Sequence, residues 1–175
     1  MRPADVRAWS QYRGHARGMI EKHVTLRTYA TTDAEIVAQA LEDEKLLRWL
    51  AALPIPLDPE TREKYLTFLS DPEVLAKVIC IDGVPIGLVS LGVELSFWIT
   101  CEFHGQGLGL WAVRSFLQQV PPATETVTAC CMCGNLSAMA ILTKLGFECT
   151  EKSFRRFSFA HGHAVDFLRY HLRRS

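Results

Sequence analysis

The sequence is short of excess charge. Its 19 Lys and Arg balance 19 Asp and Glu, which leaves no electrostatic case for nucleic acid or an anionic membrane as the main partner. No apolar run reaches the roughly 18 residues that a membrane-spanning helix requires. There is no secretory signal pattern, internal repeat or low-complexity segment, and the six cysteines (Cys80, Cys101, Cys130, Cys131, Cys133, Cys149) lack paired loop spacing. The expectation is reduced, mostly buried thiols in a cytoplasmic protein. Cys131 and Cys133 fall on one face of a strand and Cys130 on the other, with no His-x-x-x-His nearby, so no metal is expected.

What is present is an ordinary globular composition. Half the residues are apolar (49%) and 22% are charged over 175 residues, enough for a single domain with a full core. The informative stretch runs from Phe97, Trp98 and Ile99 through His104, Gly105, Gln106, Gly107, Leu108 and Gly109. A strand there feeds a glycine-rich turn, and the turn feeds a helical pattern of Leu110, Val113, Phe116, Leu117 and Val120. Glycines permit close backbone approach, and the free N–H groups of the first helical turn attract an anion, a phosphate above all. Two nucleotide motifs fail on spacing. Leu110-Trp111 stands where a P-loop needs Lys-Ser/Thr, and the order G-x-G-x-G is not that of a dinucleotide fingerprint.

A second cluster follows in Cys133-Gly134-Asn135-Leu136-Ser137-Ala138 and Lys144-Leu145-Gly146-Phe147. Together the two stretches resemble the paired signatures of the GCN5-related N-acetyltransferases (GNAT), most closely their RimJ/RimL-like branch. The likeness spans roughly residues 24 to 172, with His104 where Arg or Gln is usual. It implies a three-layer α/β domain with a mixed, mostly antiparallel sheet and helices on both faces. It also implies acetyl-CoA as co-substrate, its pyrophosphate on residues 104 to 109. The pantetheine arm would lie along Phe97, Trp98 and Ile99, with Ile99 as the main backbone contact and Asn135 on a pantetheine amide. Partners so implied are a small-molecule or peptide amine, with neither membrane nor nucleic acid; a homodimer is left open.

The remaining elements follow from local rules. Residues 1 to 23 carry Trp9, Tyr12, Ala16, Met19 and Ile20 along one side of a helix, which predicts a packing helix ahead of the domain at 24 to 175. Val24 to Tyr29 alternates as a strand, and Thr32-Asp33-Ala34-Glu35 reads as a capping box. Asp58 caps a helix that starts at Pro59. The link from Trp49 to Leu57 is apolar and irregular, and packs on the sheet or walls an acceptor site. Strands at 74 to 81 and 85 to 92 flank the hairpin signal Asp82-Gly83. Further strands are expected at 94 to 101, 126 to 133, 154 to 159 and 164 to 172, and helices at 107 to 120 and 135 to 145.

For proton transfer the candidates are Glu94, Glu102 and Ser137, followed by His104, His161 and His163. Glu94 shares a strand face with Ser96, Trp98 and Thr100, and service as a base requires burial to raise its pKa. The family resemblance also marks two hydroxyl positions for the leaving thiolate, filled here by Ala138 and Leu142. Their absence leaves a second reading open, a non-catalytic acyl-CoA-binding regulator on the same fold.

Overall fold

The computed structural model describes residues 24–174, so the expected N-terminal packing helix lies outside the described residues. Seven strands form one sheet in the order β1-β2-β3-β4-β5-β7-β6. They are β1 (Val24–Thr28), β2 (Leu75–Ile81), β3 (Val84–Leu91), β4 (Leu95–Ile99), β5 (Thr126–Met132), β6 (Glu148–Ser158) and β7 (His163–Arg173). All neighbours pair antiparallel except β4 and β5. The five α-helices among the described residues are α1 (Ala34–Ala40), α2 (Glu44–Leu47), α3 (Pro59–Ser70), α4 (Leu108–Leu117) and α5 (Leu136–Lys144).

Strand alternation divides the core into two layers. Ile79, Val89, Leu95 and Ile99 point to the face carrying α4 and α5, where they meet Val113, Phe116 and Leu142. Val78, Leu88 and Trp98 point to the opposite face and pack with Leu41, Leu47, Leu53 and Leu69. The result is the expected three-layer α/β sandwich with a mostly antiparallel sheet.

Local rules account for several elements directly. Asp58 accepts from Thr61 N at 2.9 Å with Pro59 in the first turn of α3. Asp82 (φ 49°) and Gly83 (φ 79°) take the left-handed conformations of a tight hairpin turn. Arg174 fixes the end of α4, donating to the Leu117 and Val120 carbonyls, where helix dipole and orphan carbonyls favour a cation.

Three expectations need correction. Thr32 is not an N-cap, because residues 31 to 33 form a 3₁₀ turn. The capping acceptor is the Asp33 carboxylate, which takes the Ala30 N–H and a bidentate pair from Arg27. Strand β6 begins at Glu148 rather than 154, its first half hidden by irregular pairing between Cys149 and Glu151 and between Glu151 and Phe154. Nor are the cysteines mostly buried: only Cys80 and Cys131 are, while Cys133 lies exposed beyond β5 and Cys149 exposed on edge strand β6.

Candidate active site

Strand β4 is paired differently along its two edges. Toward β3 the ladder is unbroken from Leu91↔Leu95 to Gly87↔Ile99, and the Thr100 N–H donates to the Ile86 carbonyl at 2.9 Å. Toward β5 there is one bridge, Leu95↔Ala129, after which the strands part. Because backbone groups alternate sides along a strand, the Thr100 bond assigns the N–H and C=O of Ser96 and Trp98 to β3. Those of Phe97 and Ile99 then face the gap. On the far side the Cys133 N–H bonds to the Asp166 carbonyl of β7, so the Cys130 carbonyl and the Met132 N–H face the gap as well. Of the triplet read from the sequence, Phe97 and Ile99 offer backbone to a guest and Trp98 does not. Trp98 is instead buried, its Nε1–H donating to Tyr65 Oη at 3.2 Å. Burial pushes the Tyr65 phenol up to about 12.

Two of the gap-facing carbonyls already have donors. Met132 O accepts from Asn135 N at 3.1 Å, and Ile99 O lies 2.7 Å from His104 Nε2. The side chain at the first position of the glycine loop therefore turns back onto the end of β4 as a strut. Asn135 is also the N-cap of α5, its Oδ1 accepting from Ala138 N at 3.1 Å.

The three loop glycines do different jobs. Gly105 (φ +74°) and Gly107 (φ +78°) hold left-handed conformations with open space where a Cβ would stand, and Gly107 is the N-cap of α4. Gly109 packs closely on α5, where a Cβ would sit 2.9 Å from Ile141 Cδ1 and push that side-chain end aside. The N–H groups of Gly105 through Leu110 have no acceptor among the described residues. Such a row at a helix N-terminus is able to hold an anion.

A cavity of about 740 Å³ passes through the split in the sheet. Its walls come from both faces: Ala138 and Leu142 of α5 on one, Tyr65 and Phe68 of α3 on the other, with Leu95 to Phe97 and Ala129 to Cys131 between them. The Trp49–Leu53 link forms one end, so that link walls a site as well as packing. Phe159 N–H donates to the Ala51 carbonyl at 2.8 Å and ties the β6–β7 turn to it.

Among the candidate proton carriers, Glu94 alone lines this cavity. Its carboxylate accepts from Cys130 Sγ at 3.2 Å and from Arg156 at 2.9 Å. Burial pushes its pKa up, but the bonds from Arg156 and Cys130 outweigh it and hold the carboxyl below its ordinary value. The raised pKa expected for a base is therefore not found, because β6 supplies a cation that the local sequence does not reveal. Burial and the Glu94 carboxylate push the Cys130 thiol up, so it stays protonated. Glu102 is exposed in the turn after β4, and Ser137 is exposed on α5 while Ala138 beside it faces the cavity. His161 and His163 pair with Ser158 and with each other's turn at the hairpin tip, away from the cavity. The described residues contain no cluster of three potential metal ligands and no helix long and apolar enough to cross a membrane.

Sequence and fold comparisons agree with this geometry. The family model described as an acetyltransferase (GNAT) domain matches residues 23–148. The protein named "Putative ribosomal N-acetyltransferase YdaF" of Bacillus subtilis (strain 168) is 26% identical over 149 residues, covering 73% of this chain and 79% of its own. In fold the chain is similar to RimL, the ribosomal L7/L12 alpha-N-protein acetyltransferase, in complex with coenzyme A. The TM-score is 0.72 at 14% identity, over 88% of this chain and 96% of that one. It is similar also to spermidine N-acetyltransferase of Vibrio cholerae in complex with CoA and spermine. There the TM-score is 0.74 at 18% identity, over 87% and 96% of the two chains. With the family model covering well over half its length, the chain belongs to the GNAT acetyltransferases.

Proposed function

We propose that this N-acetyltransferase takes its acetyl group from acetyl-CoA and delivers it to a primary amine. The observation that carries the reading is the single Leu95–Ala129 bridge, followed by a strand gap with free backbone groups on both sides. An extended arm containing amides can add there as a strand, using the Phe97 N–H and C=O, the Ile99 N–H and the Met132 N–H. The N–H row from Gly105 to Leu110 fits the pyrophosphate of the same molecule. Two relatives of the same fold are in complex with CoA, which supports the assignment. Asn135 then acts through its backbone and its cap, holding Met132 and the start of α5 in place.

The amine arrives on the Glu94 side. A free amine nitrogen attacks the thioester carbonyl, the C–N bond forms and the C–S bond breaks. The nitrogen gives up a proton and the departing thiolate takes one, giving an acetamide and a thiol. Among the described residues Glu94 is the only carboxylate on the cavity wall. We assign it to attract the incoming amine and to accept, directly or through water, the proton that the nitrogen sheds once the C–N bond forms. Ala138 and Leu142 present no hydroxyl to the sulfur, so the thiolate takes its proton from water. Positioning supplies most of the rate.

The test is calorimetric titration with acetyl-CoA, followed by free-thiol release with a panel of primary amines. Binding and amine-dependent thiol release are expected. Absence of binding overturns the reading, while tight binding without release to any amine favours the regulator.

A further inference from the structure

The acceptor end of the passage differs from the rest of the described surface. Of six large hydrophobic side chains left exposed, Trp49, Phe68, Val93 and Phe159 line this one cavity, at 40%, 43%, 95% and 58% exposure. Apolar surface facing water costs free energy in proportion to its area, and its concentration at one mouth marks a surface that a ligand covers. The four are contributed by four different elements: the link, α3, the β6–β7 turn and, for Val93, the β3–β4 turn. The bond from Phe159 N to Ala51 O holds the turn against the link, the Phe159 ring rests edge-on against Phe157 at 5.2 Å, and Arg48 lies over the Trp49 ring at 5.8 Å, so both rings have a support on the protein side. Preorganised aromatics of this kind bind flat rings by stacking and edge contacts at low entropic cost.

Charge narrows the guest further. Among the described residues the Lys, Arg, Asp and Glu side chains on the wall are Lys64, Arg156 and Glu94, two cations to one anion. Glu94 already pairs with Arg156 at 2.9 Å and Lys64 with Glu60 at 2.7 Å. One carboxylate matches one ammonium, whereas a polyammonium chain would bring its further charges toward Arg156 and Lys64, with no second wall carboxylate among the described residues to receive them. A cavity of about 740 Å³ is also in the usual range for a small-molecule site.

Resting on the N-acetyltransferase reading above, we propose that the acceptor is a small arylalkylamine, a primary monoamine on an aromatic body. Its ring lies among Trp49, Phe68 and Phe159, and its nitrogen lies at Glu94. The transfer balances as written above, giving an N-acetylated arylalkylamine and CoA thiol.

The full chain should be assayed for thiol release with acetyl-CoA and, in turn, tryptamine, phenethylamine, spermidine and short peptides beginning with Ser or Ala. The kcat/KM for tryptamine or phenethylamine should exceed that for spermidine and the peptides by about 10²-fold or more. Trp49→Ala and Phe159→Ala should each raise the KM for tryptamine about tenfold, a larger effect than on kcat, and leave acetyl-CoA affinity in place. Both side chains are exposed, and circular dichroism of the variants checks that they fold. Preference for spermidine or a peptide, or an unmoved tryptamine KM in both folded variants, overturns the proposal and leaves the acetyltransferase reading standing. Failure of the wild type to bind acetyl-CoA overturns both.

Discussion

The two edges of β4 carry the same five residues and meet different fates. Along the β3 edge every backbone group from Leu95 to Ile99 that can pair does so, and the ladder continues through Thr100. Along the β5 edge one bridge at Leu95 is followed by open backbone at Phe97 and Ile99. Buried backbone groups are almost always paired, so a gap inside a seven-stranded sheet needs a reason. The surroundings supply it: the gap opens into a cavity, and the same strand runs on into a loop whose glycines leave a row of N–H groups free. The contrast teaches that the fold is stitched on one edge of β4 and open on the other, which is the edge where the proposed extended ligand would add.

The largest effect is expected where the open edge meets its anion site. Gly107→Val places a β-branched side chain at φ +78°, a conformation that costs a non-glycine residue about 1–2 kcal/mol before any ligand is obstructed. Acetyl-CoA affinity measured by calorimetry should fall by about 10²-fold or more, while Gln106→Ala, which removes no backbone donor, should bind almost as wild type. If Gln106→Ala were the more damaging, side chains rather than backbone would hold the phosphates.

A smaller effect is expected on the acceptor side. Glu94→Gln keeps the shape and loses the charge, so turnover should drop by roughly 10²-fold with acetyl-CoA affinity nearly unchanged. Wild-type turnover would remove Glu94 from the chemistry. The smallest effect is a shift in pH profile. Arg156 and Cys130 lower the Glu94 pKa against burial, which raises it. The acid limb of kcat/KM should therefore move to higher pH in Arg156→Gln, where burial is less opposed. A limb that stays put or moves down would assign it to another group.

Much of this was legible in the sequence because the rules involved are local. Asp58-Pro59, Asp82-Gly83 and Asn135 declare their caps and turns within three residues, and the loop from His104 to Gly109 declares its helix N-terminus. What stayed hidden depends on distant partners. A raised pKa is expected of Glu94 until Arg156, 62 residues on, is found bonded to it and holding the pKa down. His104 stands where Arg or Gln is usual, and only the fold shows its ring on the Ile99 carbonyl. Strand alternation shows that Trp98 and Ile99 face opposite layers, but only the registry with β3 reveals which of them has free backbone. The early half of β6 escaped because two pairing irregularities break its period.

The central claim is that the open edge of β4 is a strand-addition site, and amide hydrogen exchange with and without CoA tests it residue by residue. The Phe97, Ile99 and Met132 N–H groups face the gap, whereas the Trp98 N–H lies in the ladder with β3. On saturation with CoA, exchange at Phe97, Ile99 and Met132 should slow by about tenfold or more, with Trp98 slow in both states. Unchanged exchange at Phe97 and Ile99 in protein that has bound CoA would contradict the account.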